Sequence, residues 1–300
     1  MMTEAPTAPT PVSPFPVGSL TVACVQVNAG PDIEPNLPIV GDLIQRARDA
    51  GADLITTPEN VSMMVLGRPR VMRRAQPEAD HPAVPFFRDM ARKTGAWLLA
   101  GSLAVKLDED RLANRSLLFS PDGGIAGRYD KIHMFDVDLA RGESYRESAT
   151  FRPGDRAVMA RTPWGGVGMT VCYDLRFGHL HRMLAQAGAS ILTVPSAFTV
   201  PTGKAHWHVL LRARAIETGC FVVAPAQCGT HDGGRTTYGH SLIVSPWGEI
   251  LADAGEEPGF VTARLDLEEV AKARAQVPSL KHDRVIKEPD LSPEPRPVPA

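Results

Sequence analysis

The chain has 300 residues, with 32 basic against 34 acidic side chains, a formal charge of -2 and 43% hydrophobic residues. That length allows one large domain or two ordinary ones, and the composition suits a globular protein with a sizeable core. The near-neutral balance argues against general nucleic-acid binding, which needs a basic footprint to release counterions from phosphates.

Proline is in excess, at 27 residues, against about 15 at ordinary usage. Pro6, Pro9, Pro11, Pro14 and Pro16 crowd one end; Pro278, Pro289, Pro293, Pro295, Pro297 and Pro299 crowd the other. Residues 1–17 and 278–300 therefore read as extended Pro-rich tails with too little apolar surface to offset ordering, and 18–277 as one domain. Solvated ends are the plain reading of the tails; docking on a partner subunit is the sharper one. The N-terminus has neither the basic nor the apolar region of a signal peptide, and no apolar run approaches a membrane span. Cys24, Cys172, Cys220 and Cys228 show no C-x-x-C spacing. A cytoplasmic protein with reduced thiols is the expectation.

In chain order, 20–27 (LTVACVQV) predicts a strand, 36–50 an amphipathic helix closed by Gly51, and 53–56 a short buried strand. A helix over 84–94 closes at Gly95 and a strand over 97–105 follows. Spans 111–120 and 124–131 form a hairpin around Pro121-Asp122-Gly123. A strand over 166–171 leads to a helix over 176–187 closed by Gly188. Then come a strand over 190–194, a helix over 204–218 closed by Gly219, and a strand over 220–226. Spans 240–245, 249–253 and 259–265 end the domain as a meander. There is no internal repeat. This alternation predicts an α/β layered fold with mixed sheets, and such folds gather their sites at the C-terminal ends of strands.

Three side chains stand at such ends. Cys172 sits where the strand over 166–171 turns towards a helix, where backbone amides can lower a thiol pKa and hold an oxyanion. Glu59 follows the apolar run through Leu54-Ile55, where a carboxylate is costly unless paired or used as an acid or base. Lys131 is wedged before Ile132-His133-Met134-Phe135. Each alone has a bland reading: a core cysteine, a capping carboxylate, a structural ion pair. Together they are a base, a cation and a nucleophile in one domain.

The chain resembles the nitrilase superfamily of carbon–nitrogen hydrolases over about 20–270. The resemblance is carried in order by Thr57-Pro58-Glu59-Asn60, by 129–136 (YDKIHMFD) and by 171–177 (VCYDLRF). It implies an αββα sandwich, a Glu59–Lys131–Cys172 triad, and Glu147 as a second glutamate near it. Further segments, 205–218 (AHWHVLLRARAIET), 226–229 (AQCG) and 238–241 (YGHS), resemble the Nit branch, more in the manner of deaminated-glutathione amidases than of ω-amidases. His208 departs from the pattern, since Nit relatives commonly carry Glu there. The resemblance implies a thiol amidase that cleaves a small carboxylate-bearing amide to acid and ammonia through a cysteine thioester, foremost deaminated glutathione to 2-oxoglutarate and cysteinylglycine. An ω-amidase, or another small-amide or N-carbamoyl hydrolase, is the alternative within the family. A catalytically retired binding or scaffold protein is the alternative outside it. Tyr173 (through its backbone N–H), Arg176, Phe198 and Thr199 are expected around the substrate, with Arg176 either meeting a substrate carboxylate or bridging to Asp174 or another acid. The implied partners are a small-molecule amide and further copies of the chain, as a homodimer or higher homo-oligomer, with no nucleic acid and no membrane.

No cofactor is expected, and no metal. His179/His181 and His206/His208 lie two apart on predicted helices, about 200° around the axis, so neither pair can chelate one ion. Gly165-Gly166-x-Gly168 lacks the Gly-Lys-Ser/Thr of a phosphate loop. Arg212 and Arg214 sit one turn before Glu217 and read as structural pairs. Trp207, Leu210, Leu211 and Ile216 read as the core stripe of their helix, to which the resemblance adds a role in a subunit interface.

Overall fold

The computed structural model describes residues 18–138 and 144–287. The tails over 1–17 and beyond 287 lie outside the described residues. The first half runs β1 (Ser19–Gln26), α1 (Ile33–Asp49), β2 (Leu54–Thr56), α2 (Arg68–Arg74), α3 (Ala83–Thr94), β3 (Trp97–Lys106), β4 (Leu112–Phe119) and β5 (Ile125–Asp130). A small hairpin of β6 (Asp136–Asp138) and β7 (Ser144–Arg146) leads to β8 (Val158–Thr162), β9 (Gly165–Met169), α4 (Gly178–Gln186), β10 (Ala189–Thr193), α5 (Val200–Thr218) and β11 (Phe221–Ala224). The chain ends with β12 (Cys228–Thr230), β13 (Thr236–Tyr238), β14 (Leu242–Val244), β15 (Ile250–Asp253), β16 (Gly259–Asp266) and α6 (Glu268–Gln276).

Two six-stranded mixed sheets form, in the orders β16-β1-β2-β3-β4-β5 and β15-β14-β11-β10-β9-β8. Side chains alternate between faces along a strand, and β1 shows how this builds the layers. Val22 and Cys24 join Leu54, Leu99, Val167, Met169, Leu192 and Val222 in the core between the sheets, which also reaches Leu184 and Trp207 of α4 and α5. Ala23 and Val25 face outward and pack with Ile55 under Ile44 of α1 and Phe87 of α3. The result is the expected αββα sandwich.

Most elements lie within a few residues of their predicted places, and the differences have physical causes. Helix α1 begins at Ile33 rather than 36. Pro35 falls in its first turn, where backbone N–H groups have no helical partner to lose, while Pro38 lies inside the helix and forgoes one such bond. Asn36 ties down this start, donating to the carbonyls of Gly30 and Asp32 at 3.0 and 2.8 Å. The predicted meander is corrected: β14 and β15 pair with each other, but β16 leaves for the other sheet and lies antiparallel along β1, from Ser19 opposite Asp266 to Gln26 opposite Gly259. The Gln26 side chain fixes that departure by donating to the carbonyls of Gly255 and Glu257 at 2.9 and 2.8 Å. Ile216 is exposed, so the buried stripe of α5 runs through Trp207, Leu211, Arg214, Ala215 and Thr218 instead. The first residues assigned to the C-terminal tail dock on α4: Arg182 donates to Ser279 O at 2.7 Å and pairs with Asp283 at 2.6 Å. No described helix is long and apolar enough to cross a membrane.

Candidate active site

Glu59 is held by the loop that follows β2. Thr57 donates from its backbone N–H and from Oγ1 to Leu99 O, at 3.0 and 2.9 Å, so the chain leaves the sheet along β3. Gly101 allows that path: a Cβ there would lie 1.8 Å from Thr57 O and 2.5 Å from Pro58 O. Gln227, between β11 and β12, donates to Glu59 O at 3.0 Å. Lys131 directly follows β5, and Cys172 begins a five-residue 3-10 turn after β9. The predicted helix start at 176 is therefore corrected to α4 at Gly178. Since only a short 3-10 turn lies next to the thiol, the positive charge that favours its thiolate is that of Lys131.

The sheets bring these strand ends together. Lys131 Nζ lies 3.2 Å from Glu59 Oε1 and 2.7 Å from Glu147 Oε2, and the lysine is 1% exposed. Asn114 Nδ2 donates to Glu59 Oε1 and Glu147 Oε1, at 2.9 and 3.1 Å. The Phe135 N–H donates to Glu147 Oε2 at 2.7 Å. The Cys172 thiol stands close enough to the Glu59 carboxyl to favour its ionised form. Burial opposes a charge on Glu59, but Lys131, the Cys172 thiol, Arg235 and Asn114 together outweigh it and hold the carboxyl below its ordinary pKa. Burial also opposes the charge on Lys131, and Glu147 and Glu59 overcome it, so the ammonium persists well above its usual range. Burial, followed by the Glu59 charge, pushes the Cys172 thiol well up. The resting pair is a neutral thiol against an ionised carboxylate, arranged for base-assisted attack.

The turn at Cys172 is strained and braced. Cys172 has φ of +51°, a left-handed conformation that a side chain tolerates only where its surroundings enforce it. Its N–H donates to Pro195 O at 2.9 Å. Asp174, fully buried, accepts from Tyr129 Oη at 2.7 Å, from the Val171 N–H at 2.9 Å and from the His133 N–H at 3.0 Å, with His133 Nδ1 at 2.7 Å. This network ties the nucleophile turn to the end of the strand that bears Lys131.

A cavity of about 550 Å³ opens over the thiol, lined by Glu59, Lys131, Glu147, Cys172, Tyr173, Phe198 and Thr199 among others. Arg176 is not among its lining residues. It does not pair with Asp174 among the described residues; its guanidinium lies 5.6 Å from the ring centres of Tyr173 and Phe198, and 3.3 Å from His206 Nδ1. The bridge expected between Arg176 and Asp174 is thus corrected. Asp174 is buried behind the turn with partners of its own, while Arg176 is drawn over the aromatic faces. The cations on the cavity wall are Lys131, Arg68, Arg146 and Arg235. Arg68 pairs with Asp110 and Arg146 with Asp138. Arg235 has no carboxylate partner among the described residues; one Nη donates to Ala197 O at 2.8 Å and its buried Nε has no hydrogen-bond partner.

A family model described as carbon-nitrogen hydrolase matches residues 21–275. The chain belongs to the carbon–nitrogen hydrolase family. It is 41% identical over 271 residues to a deaminated glutathione amidase of Yersinia enterocolitica, covering 88% of this chain and 93% of that one. A human protein of the same name is 38% identical over 275 residues, covering 90% and 83%. Among solved structures, the Caenorhabditis elegans NitFhit protein superposes with a TM-score of 0.83 at 33% identity, over 90% of this chain and 66% of that one. Saccharomyces cerevisiae Nit3, described as a member of branch 10 of the nitrilase superfamily, superposes with a TM-score of 0.82 at 29% identity, over 92% of this chain and all of that one.

Sequence reading missed Asn114, Gln227 and Arg235. Asn114 left a signal, being a lone amide in the apolar strand LANRSLLF. Arg235 left none, because it stands in a polar loop and reaches the cavity only through the fold.

Proposed function

We propose that this chain is a thiol amidase that cleaves deaminated glutathione to 2-oxoglutarate and cysteinylglycine. The observation that carries the reading is the meeting of Cys172, Glu59 and Lys131 on the wall of one cavity of about 550 Å³, with the thiol neutral and the Glu59 carboxyl ionised. Glu59 takes the thiol proton as Sγ attacks the amide carbonyl. The Lys131 ammonium and the Tyr173 N–H stabilise the tetrahedral oxyanion. Glu59 then returns the proton to the leaving nitrogen, the C–N bond breaks and a thioester remains. Water attacks the thioester with Glu59 again as base, and the thiol is regenerated. Glu147 and Asn114 keep the ammonium and the Glu59 carboxylate in place.

With this substrate the leaving group is the cysteine amine of cysteinylglycine, not ammonia, so the sequence expectation of ammonia is narrowed to simple amides. The substrate carries two carboxylates, and Arg235 is the cation on the cavity wall with binding capacity left to meet one of them. The name carried by both amidase relatives supports the substrate. Release of 2-oxoglutarate from deaminated glutathione, set beside 2-oxoglutaramate and an N-carbamoyl amino acid, tests the reading. The expected result is highest kcat/KM on deaminated glutathione and loss of about a thousandfold or more in Cys172→Ala. A folded Cys172→Ala protein of unchanged activity overturns the mechanism; higher kcat/KM on 2-oxoglutaramate overturns the substrate.

The proposal includes work in the cytoplasm on a small molecule, by a protein associated with its own copies. Exposed Met183, Val209, Ile216 and Trp247 on and beside α4 and α5 support self-association.

A further inference from the structure

Away from the cavity, three elements distant in sequence converge on one surface patch. His208 lies on α5, His240 between β13 and β14, and Asp253 at the end of β15. His208 Nε2 is 2.9 Å from Asp253 Oδ2, and His240 Nδ1 is 2.9 Å from Asp253 Oδ1. One donor atom from each residue lies within 4.8 Å of the others. We propose that His208, His240 and Asp253 form a binding site for a borderline divalent transition-metal ion of the Zn²⁺ type.

The donor set carries the choice of ion. Two imidazole nitrogens and one carboxylate oxygen make a three-ligand site that leaves a fourth position for water, whereas Mg²⁺ prefers an all-oxygen shell. Tetrahedral bonds of 2.0–2.1 Å place donors about 3.3 Å apart, so each His–Asp pair opens from 2.9 Å by a few tenths of an ångström to admit an ion, and the imidazole nitrogens need lie no further apart than the 4.8 Å that already bounds them. The side chains are 28%, 20% and 31% exposed for His208, His240 and Asp253, which leaves room for an ion and its water to enter.

The scaffold is prepared independently of the donors. His240 has φ of +54° and is one of three described non-glycine residues with positive φ; the other two are Asn60, next to Glu59, and Cys172 itself. Such strain, of order 1–3 kcal/mol, persists where the surroundings fix a side chain in a set direction. The Tyr238 ring stacks on His240 at 4.4 Å, the Trp207 indole N–H donates to His240 O at 2.8 Å, and Asp253 Oδ1 accepts the Gly255 N–H at 2.9 Å. Without an ion, the imidazoles direct their N–H groups at one carboxylate. On metal binding each imidazole carries its proton on the other ring nitrogen, and the hydrogen bond to the carboxylate is exchanged for a bond to the ion. His208 is also the position at which the sequence departs from the Nit pattern. Its helix neighbours on the sequence, His206 and Trp207, take no part as ligands; the partners come from two other elements.

The ion clamps α5, the turn after β13 and β15 to one another, so its expected effect is on stability. The test uses the full-length, tag-free chain carrying Cys172→Ala, so that the nucleophile cannot bind the ion, stripped with chelator and titrated with Zn²⁺ alone. Calorimetry and competition with a chromophoric indicator are expected to give one ion per chain, with Tm raised by several degrees at saturation and no response to Mg²⁺. His208→Gln and Asp253→Asn, each confirmed folded by circular dichroism, are expected to weaken binding at least tenfold. The same substitutions with Cys172 intact should leave amidase activity unchanged, since neither residue lines the cavity. No Zn²⁺ binding at 1 mM, or binding of equal strength in both variants, overturns the proposal.

Discussion

Lys131 is a fully buried cation, and the cost of burying it explains why the residues around it are what they are. An ammonium in a near-dry site survives only when paired and hydrogen-bonded, and removing one partner of such a pair costs about 3–5 kcal/mol. Glu59 and Glu147 supply the charges, and Asn114 Nδ2 bridges them by donating to the Oε1 of each. Arg235 contributes at longer range by lowering the Glu59 pKa. Its second role is tested by Arg235→Met. Loss of one charged hydrogen bond to substrate, worth about 1.5–3 kcal/mol, is expected to raise KM for deaminated glutathione roughly 10- to 150-fold. The same variant removes a positive charge near Glu59, so its acid limb of activity moves to higher pH. A KM that does not change rules out the anchor role while leaving the electrostatic one standing. Glu59, Lys131 and Cys172 were readable as outliers in sequence because each is a charged or reactive group beside an apolar run. Arg235 was not, because nothing in a polar loop marks which arginine turns inward.

At the scale of elements, the site depends on how closely strands and turns approach. Gly101 in β3 passes so near the Thr57 and Pro58 carbonyls that a methyl group has no space, and the obstacles are backbone atoms that cannot swing away. Gly101→Ala is therefore expected to displace the Glu59 loop. The expected outcome is loss of at least 1–3 kcal/mol by denaturant unfolding, with a larger fall in kcat than in KM; unchanged stability and activity contradict this account. Helix ends at Gly95 and Gly219 were legible, and both glycines adopt the left-handed cap conformation. The departure of β16 to the first sheet was not, since period-2 patterning says that a strand exists but not which strand it joins. The small β6–β7 hairpin, α2 and α6 were missed because their sequences are too polar or too short to show a period.

For the whole molecule, acid stability follows from buried histidines. His81 is fully buried, its Nδ1 accepts the Ala83 N–H at 3.2 Å, and burial lowers its pKa from 6.5 to about 4. Burial likewise lowers His181 to about 4. In both cases the unfolded chain binds the proton first. Stability is therefore full above pH 6.5 and declines as pH falls towards 4, by about 2 kcal/mol per histidine at pH 5 as an order of magnitude. Urea unfolding at pH 7 and pH 5 measures the loss, and His81→Gln should reduce its slope; equal pH dependence in the variant contradicts the assignment. Self-association is checked by sedimentation. The chain is expected to run at twice its own mass or more, and the double variant Val209→Glu, Ile216→Glu as a monomer. A wild-type monomer at micromolar concentration removes the oligomer from the proposal.

The sequence alone determined the layer type, the strand ends that carry Glu59, Lys131 and Cys172, and the reaction class. The layers follow from local periods, the strand ends from residues whose burial is costly, and the reaction class from the resemblance carried by the motifs around them. Only the tertiary structure decided which cation faces the cavity, where Asp174 points, which sheet receives β16, and that His208 meets His240 and Asp253. Each of those is a contact between residues far apart in the chain, and a one-dimensional pattern holds no record of distance in space.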